Sequence, residues 1–327
     1  MRLVTYEVAT PFGPVRRSGA LTGQDAVIDL SLARAAALGG RPRAVAIAAA
    51  EVPTDLLEFL RGGEWAMETA RDAVAHVEQA GVEALDGARV RHALADVRLL
   101  APLPRPNSLR DYLVVEEHLR NCVDQGIVKA IPPEWYELPA HYKGNVDAIY
   151  GPDEDVPWPP YTDKLDYELE ICAVLGASGR KVRAEDATPM IAGYTIYNDW
   201  SARDIQGREM AVGIGPGIAK DFASSIGPCI ATPDEFDRDH AKLEARIDGE
   251  VWSTGVLGKM HFTFEQIIEY TSQEATLQPG DLLGSGTVGR GCGLEMDRWL
   301  PQGCTVELEA EGIGVLRNRV GHKGARA

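Results

Sequence analysis

The stretch LDYELEICAVLG, residues 165–176, constrains the fold more than any other part of the chain. Its first seven residues alternate between apolar side chains and acids, and a period of two is typical of a β-strand with one buried face. Such a strand places Glu168 and Glu170 on the same face, with their α-carbons about 6.6 Å apart. The stretch therefore predicts a β-rich fold and leaves open what its acidic face contacts.

The acidic face of this strand has two interpretations. On an edge strand, exposed charges discourage aggregation, and the alternating pattern taken alone favours this interpretation. Alternatively, the carboxylates of Glu168 and Glu170 bind one hard divalent cation, which takes oxygen ligands at roughly 2.0–2.6 Å. Without a cation, two neighbouring carboxylates repel each other and one of them tends to keep its proton. The choice between these two interpretations depends on the other acids in the chain.

The composition excludes several classes of function. The chain has 327 residues, of which 45% are hydrophobic, enough for the core of one large domain or of two unequal ones. Its formal net charge of −16 argues against nucleic acid or an anionic membrane as a partner. No apolar run reaches the roughly 18 residues that span a bilayer.

Cysteine usage and the first residues indicate a cytoplasmic protein. The five cysteines are scattered and form no C-x-x-C pair, which predicts free thiols in a reducing compartment. The opening MRLVTYEVATPFG has no apolar signal core and is predicted to form a strand and a turn. At the other end, residues 321–327 are expected to fray.

Two regimes of composition divide the chain. In residues 1–98, AVIDLSLARAAALGG predicts a strand followed by a helix, and EWAMETARDAVAHVEQAG predicts a helix that ends at glycine. The proline-rich LLAPLPRPNS predicts a boundary after this small α/β domain. Residues 99–327 carry short apolar runs between turn residues, including an Asp-Gly hairpin in ARIDGEVW. The predicted fold class is therefore α+β, mainly β.

Two further segments carry acids at helical spacing. NSLRDYLVVEEHLRN, residues 107–121, predicts a helix with Asp111 and His118 on one face. The alternative is that Asp111 is a capping acid three residues after Ser108, and that His118 is a surface histidine.

The second segment is YNDWSARDIQG, residues 197–207. It predicts a helix from near Asn198, with Asp199, Arg203 and Gln206 along one stripe. The alternative is a helix cap followed by a weak i,i+4 ion pair.

Five motifs together resemble the fumarylacetoacetate hydrolase family: DYLVVEEH, LDYELEICAVLG, NDWSARDIQ, GPGIAKDFASSIGP and GDLLGSGTVG. They follow the order and approximate spacing of that family, and the resemblance covers about residues 99–320. It implies a catalytic domain built from a folded-over mixed β-sheet, a β-roll, in an enzyme that is typically homodimeric. Residues 1–98 resemble the family's variable N-terminal domain more loosely.

The resemblance also implies roles for individual residues. The ligands of one divalent hard cation, Mg²⁺ or alternatively Ca²⁺ or Mn²⁺, would be Asp111, Glu168, Glu170 and Asp199. His118 would be the general base. A carboxylate partner would orient such a base and stabilise its charged form, and Glu295 is the candidate partner on that argument rather than on the resemblance. The groups that hold a developing oxyanion or enolate would be Arg203, Gln206 and Lys220. Substrate would also contact Tyr142 and Thr287.

These roles predict a catabolic hydrolase that cleaves a carbon–carbon bond in a 1,3-diketo acid of the fumarylacetoacetate or acylpyruvate type. The metal would polarise the ketone oxygens, and His118 would activate water. The same metal site could instead serve decarboxylation, hydration or isomerisation of a 2-oxo acid. A third hypothesis is a non-enzymatic binder of small molecules. In that third case the acids would be only structural. For the enzyme, the predicted partner is a small anionic keto-acid substrate, with the metal, Arg203 and Lys220 offsetting the negative charge of the protein.

Overall fold

The structure is a computed structural model that describes residues 1–23 and 25–324. Its α-helices are α1 Leu30–Ala37, α2 Ala44–Glu51, α3 Leu56–Arg61, α4 Gly63–Ala80, α5 Glu116–Asp124, α6 Ala184–Ala187, α7 Arg203–Met210, α8 Ile218–Asp221 and α9 Phe264–Thr271. Short 3₁₀ helices span Leu94–Asp96, Pro133–Tyr136, Thr188–Met190 and Gly293–Met296.

The first strands are β1 Arg2–Thr10, β2 Gly13–Thr22, β3 Ala26–Asp29, β4 Ala84–Leu85, β5 Ala88–Arg89, β6 Arg91–Ala93, β7 Arg98–Leu99, β8 Ser108–Tyr112, β9 His141–Lys143, β10 Ile149–Tyr150 and β11 Asp155–Val156. The others are β12 Leu165–Asp166, β13 Leu169–Leu175, β14 Ile191–Asn198, β15 Ser201–Ala202, β16 Ser224–Ala231, β17 Lys242–Ile247, β18 Glu250–Val256, β19 Asp281–Gly284, β20 Thr305–Ala310 and β21 Gly314–Val320.

Two sheets organise the described part of the chain. A twelve-stranded sheet runs in the order β6-β3-β2-β1-β16-β14-β13-β19-β8-β9, with β10 beside β16 and β7 beside β1. A five-stranded sheet of order β11-β21-β20-β17-β18 shares one hydrophobic core with it. Most neighbouring strands are antiparallel, but β8 runs parallel to β19, β10 parallel to β16 and β11 parallel to β21. The predicted class, α+β and mainly β with a mixed sheet, is confirmed.

Strand β13 lies in the middle of the large sheet, between β14 and β19. Leu169 and Ile171 face the core shared with the five-stranded sheet. Cys172 faces the other core, which helices α1, α3 and α4 cover. Because both faces are covered, Glu170 is 0% exposed, and Glu168, which precedes β13, is only 5% exposed. The interpretation of these acids as the solvated face of an edge strand is therefore wrong.

Residues 107–121 do not form one helix. Strand β8 occupies the first part, where it pairs with β19 and β9, and helix α5 begins only at Glu116. Ser108 therefore caps no helix, and its hydroxyl instead donates a hydrogen bond to Asp281 on β19. Asp111 and His118 belong to different elements, because the pairing of β8 with its neighbours outweighs the local helical spacing.

The helix expected from near Asn198 begins later. Strand β14 ends at Asn198, and α7 begins only at Arg203, so Asp199 lies in the turn between β14 and β15. In the described part of the chain, Arg203 forms its ion pairs with Asp166 and Glu168 instead of Asp199.

The predictions for residues 1–98 agree with the elements observed there. Strand β3 leads directly into α1, and α4 ends at Gly81, whose φ of 64° is the left-handed conformation that glycine adopts readily. Strand β1 also pairs with β16, so strands from both sides of the predicted boundary share a sheet. The division into domains 1–98 and 99–327 stays a prediction.

The later hairpin is also observed. Asp248 and Gly249, both at positive φ, form the turn between β17 and β18. All five cysteines are free and buried. Across residues 1–23 and 25–324, no helix has the length and apolar character needed to cross a membrane. The expected fraying of the tail falls partly on residues 325–327, which lie outside the described residues.

Candidate active site

Three buried carboxylates from separate parts of the chain meet at one place. Asp111 comes from β8, Glu170 from β13 and Asp199 from the turn after β14. One oxygen of each lies within 4.8 Å of the corresponding oxygens of the other two. The strands bring them together because β19 lies between β8 and β13 and pairs with both.

A glycine on β19 makes room for this group. A β-carbon at Gly284 would lie 2.5 Å from Oδ1 of Asp111 and 3.2 Å from the ring of Tyr197. Since β-carbons essentially never approach other atoms that closely, any larger residue at this position would displace the Asp111 carboxylate or the tyrosine ring. The absence of a side chain at Gly284 is thus a requirement of the site.

The three carboxylates fit a divalent hard cation. Oδ1 of Asp111, Oε2 of Glu170 and Oδ1 of Asp199 are buried and have no hydrogen-bond partner in the described part of the chain. A buried polar oxygen without a partner is costly, and carboxylates gathered this closely repel one another unless protons or a cation neutralise them. Carboxylate oxygens without a thiolate suit Mg²⁺, Mn²⁺ or Ca²⁺.

Burial also changes how these acids titrate. Burial, followed by the charge of Asp199, raises the pKa of Asp111 to about 8. Burial and the charge of Asp111 raise the pKa of Glu170 well above its ordinary value. In the absence of a cation, protons therefore neutralise part of the group at neutral pH.

We expect the stability of the metal-free protein to depend on pH because of this titration. The pKa of Asp111 is about 8 in the fold and about 3.9 in an unfolded chain. Between these two pH values the folded state holds more protons, so its free energy of unfolding falls as the pH rises. Chelator-treated wild type should therefore lose stability relative to Asp111→Asn between about pH 4 and pH 8, as measured by denaturant unfolding. A difference between the two proteins that does not change with pH would contradict this.

Glu168 lies beside the three carboxylates but contacts two cations. Its Oε2 accepts a hydrogen bond from Lys220, and its Oε1 is 2.8 Å from Nη2 of Arg203. Burial alone would raise the pKa of Glu168, but the charges of Lys220 and Arg203 hold that pKa well below its usual range. Lys220 also donates to Asp199. The role of Glu168 as a metal ligand stays a prediction.

His118 and Glu295 form a buried pair. Nδ1 of His118 is 2.8 Å from Oε1 of Glu295. Glu295 lies on the 3₁₀ helix Gly293–Met296, and its other oxygen accepts hydrogen bonds from Asn121 and from the backbone N–H of Arg290. His118 is therefore not the surface histidine of the alternative interpretation, since only 6% of it is exposed.

The surroundings of His118 favour its charged form. Burial lowers the pKa of an imidazole, but hydrogen bonds with Cys122, Cys292 and Glu295 outweigh it and raise the pKa of His118 well above 6.5. The contact to Cys122 joins Sγ to Nε2 at 3.9 Å. The raised pKa favours the charged form of His118, and the contact with Glu295 is one of its causes.

The remaining predicted residues lie around the same centre. The hydroxyl of Tyr142 donates to Asp199, and the hydroxyl of Thr287 donates to Oε1 of Glu170 over 3.2 Å. Gln206 lies one step further out, where its side-chain oxygen accepts a 2.9 Å hydrogen bond from Arg203. Their roles in binding substrate stay predictions.

Sequence reasoning missed two residues of this site. Asp166 is fully buried and contacts Arg203, although its place in the alternating acids of residues 165–171 could have indicated it. Gly284 lies in the motif GDLLGSGTVG, but sequence reasoning did not single it out, because the need for glycine arises from Asp111 and Tyr197 on strands that are distant in sequence.

Comparisons with known proteins identify the class of enzyme to which this fold and its buried carboxylates belong. The sequence profile described as "Fumarylacetoacetate (FAA) hydrolase C-terminal" matches residues 109–321. The chain therefore belongs to the fumarylacetoacetate hydrolase family, as its motifs predicted.

Two relatives and one solved structure illustrate the similarity. "Oxaloacetate tautomerase FAHD2A, mitochondrial" of Homo sapiens is 31% identical over 271 residues, which are 82% of this chain and 80% of the relative. "Oxaloacetate tautomerase YisK" of Bacillus subtilis (strain 168) is 28% identical over 276 residues, 83% of this chain and 87% of the relative. The structure of maleylpyruvate hydrolase from Sphingobium sp. SYK-6, in complex with manganese (II) ion and pyruvate, has a TM-score of 0.69 at 19% identity, covering 98% of this chain and 99% of that chain.

The similarities in sequence and structure support an enzyme but do not identify its reaction, and hydrolysis stays a hypothesis. The name of the human relative includes a mitochondrial location, and the cytoplasmic location inferred from the cysteines stays a prediction.

Proposed function

We propose that this protein is a divalent-metal-dependent tautomerase, which interconverts the keto and enol forms of a small 2-oxo dicarboxylate such as oxaloacetate. The observation that carries the proposal is the group of three buried carboxylates with unpaired oxygens, next to the buried cations Lys220 and Arg203. The names of two relatives support this reaction. The predicted partner, a small anionic keto acid, is retained, and a homodimer stays part of the proposal.

The residues that would hold the metal are Asp111, Glu170 and Asp199, with Glu168 as a fourth candidate. A bound Mg²⁺ or Mn²⁺ would supply Lewis-acid polarisation of the 2-oxo group. Lys220 and Arg203 add fixed positive charge at the same place, and such charge stabilises an enolate oxygen most strongly where water is excluded. Both are at most 8% exposed.

His118 and Glu295 supply the proton for this reaction. Ketonisation takes a proton from the enol hydroxyl and places one on the neighbouring carbon. The hydroxyl proton is released to solvent when the substrate binds as its enolate, His118 donates a proton to the carbon, and solvent reprotonates the imidazole. In the reverse direction His118 accepts the proton from the carbon. Glu295 orients the ring through Nδ1 and stabilises its charged form. General acid–base catalysis by such a pair typically contributes about 10²–10⁴-fold.

A second candidate is hydrolysis of a carbon–carbon bond in an acylpyruvate, for which His118 would take a proton from water. The specific observation in its favour is the hydrogen bond between His118 and Glu295, because a carboxylate that orients a histidine is also the arrangement of a general base. The names of the two relatives support the tautomerase over this reaction.

One assay distinguishes these reactions. Protein treated with chelator is supplied with Mg²⁺ or Mn²⁺ and mixed with oxaloacetate enriched in its enol form, and the ultraviolet absorbance of the enol is followed. We expect the metal to accelerate loss of the enol without release of carbon dioxide. Parallel incubations with acylpyruvates and fumarylacetoacetate are analysed for acid products. Cleavage of these substrates without metal-dependent loss of the oxaloacetate enol would overturn the proposal in favour of the hydrolase.

A further inference from the structure

Asp166 is a buried carboxylate to which the proposed reaction assigns no role. It ends strand β12 and is 0% exposed. Its Oδ1 accepts hydrogen bonds from the backbone N–H groups of Tyr167 and Gly293 at 3.0 and 2.8 Å. Its Oδ2 accepts from Nε of Arg203 at 2.8 Å and from the N–H of Leu294 at 3.0 Å. Two oxygens thus receive four hydrogen bonds, three of which come from distant parts of the chain.

One of these bonds leads to the carboxylates. Arg203, whose Nε is bound to Asp166, places Nη2 at 2.8 Å from Glu168. Glu168 contacts Lys220, and Lys220 contacts Asp199. Alternating charges therefore connect Asp166 with the candidate metal ligands.

Two other bonds lead to the acid–base pair. Gly293 and Leu294 begin the 3₁₀ helix that carries Glu295 as its next residue, and Glu295 contacts His118. The fit is close: a β-carbon at Gly293 would lie 2.7 Å from Oδ1 of Asp166 and 2.1 Å from the carbonyl oxygen of Arg298. Glycine at 293 lets the backbone approach the carboxylate closely enough to donate to it.

We infer that Asp166 is a positioning residue, which sets the position of the His118–Glu295 pair relative to the metal-binding carboxylates. The inference rests on the proposed function for its kinetic consequences. A single rigid carboxylate fixes both Arg203 and the turn before Glu295, so neither side can move without breaking a buried, charge-assisted hydrogen bond. The proton donor and the group that stabilises the enolate must both reach one small substrate, and displacement by about 1 Å can cost about 10²-fold in rate.

Asp166→Asn tests the inference because it keeps the shape of the side chain. The amide has one oxygen and one NH₂ group, and the NH₂ group must face N–H donors on one of its two sides. Asp29→Asn is the matched control. Asp29 is also 0% exposed and accepts hydrogen bonds from Tyr6, Arg17 and the N–H of Leu32, but it lies in the first 98 residues.

Three readouts separate positioning from general stability. We expect both variants to lower Tm, whereas only Asp166→Asn should lower kcat, by roughly 10–100-fold, with a smaller change in KM. In a double-mutant cycle, Asp166→Asn and Glu295→Gln should be strongly non-additive in kcat, because one acts through the other. The ring N–H proton of His118 in the wild type, identified by its loss in His118→Ala, should shift in the NMR spectrum of Asp166→Asn and not in that of Asp29→Asn.

The outcomes distinguish this inference from the proposed function. If the wild type lacks tautomerase activity, the function fails, and the NMR signal of His118 still tests the position of the pair. If the wild type is active and Asp166→Asn retains its kcat within about twofold, or leaves the His118 signal in place, the inference is overturned.

Discussion

Replacing His118 by alanine is expected to lower kcat for the oxaloacetate enol by roughly 10²–10⁴-fold, while metal binding persists. The imidazole is the proton donor of the proposed reaction, and its contacts are with Glu295, Cys122 and Cys292 rather than with the three carboxylates. Activity should therefore fall without loss of the rise in Tm that Mg²⁺ or Mn²⁺ produces. Steady-state kinetics and thermal unfolding with and without metal measure the two effects.

The control for this variant is His92→Ala. His92 is also 6% exposed, and it packs against Tyr6 in the first part of the chain. It should cost stability through lost packing and leave kcat unchanged. If His118→Ala retained wild-type turnover, the proton donor would have to be another residue.

Glu170→Gln is expected to remove metal-dependent stabilisation and at the same time to stabilise the metal-free protein. A ligand present at a hundredfold its Kd adds about 2.7 kcal/mol to the free energy of unfolding. Glutamine offers the metal a neutral oxygen in place of a carboxylate, so most of this gain should disappear. Without metal, the substitution is expected to change the free energy of unfolding in the opposite direction. Burial and the neighbouring acids raise the pKa of Glu170. An ionisable group at this position therefore lowers the free energy of unfolding above the pH at which an unfolded glutamate titrates.

Thermal unfolding at pH 8, with chelator and then with excess Mg²⁺ or Mn²⁺, measures both effects. Glu265→Gln is the matched control, because Glu265 is 9% exposed and bound to Arg238, away from the three carboxylates. This control should lose stability when its ion pair weakens and should keep the full metal response. An equal metal response in wild type and Glu170→Gln would exclude Glu170 from the metal site.

The acids of the site were predictable from their motifs, but the elements that carry Asp111 and Asp199 were not. Asp111 was predicted on a helix because apolar residues around it have helical spacing. In the fold, β8 lies between β19 and β9, and hydrogen bonds to strands far along the chain determine its conformation. The helix predicted from near Asn198 also included Asp199, which lies between β14 and β15. The error arose because no local sequence signal marks the end of β14 at Asn198.

The burial of the acids in residues 165–171 could not be predicted from the local sequence pattern either. The alternation in residues 165–171 correctly indicated extended backbone, but an exposed face and a face covered by another layer share one pattern. What covers the face of Cys172 is the packing of helices α1, α3 and α4, which come from the first 98 residues. The contact of Glu295 with His118, by contrast, agrees with the expectation that a carboxylate orients the histidine.

The pairing of β1 with β16 limits how the chain can be shortened or recombined. The matched family segment begins at residue 109, whereas Arg2 and Leu3 of β1 pair with Ala231 and Ile230 of β16. A fragment that started at residue 109 would leave this end of a buried strand with free N–H and C=O groups, and such edges recruit strands from other molecules. The N-terminal residues thus cover this edge of the sheet, and exchanging them between relatives requires a partner strand of matching register.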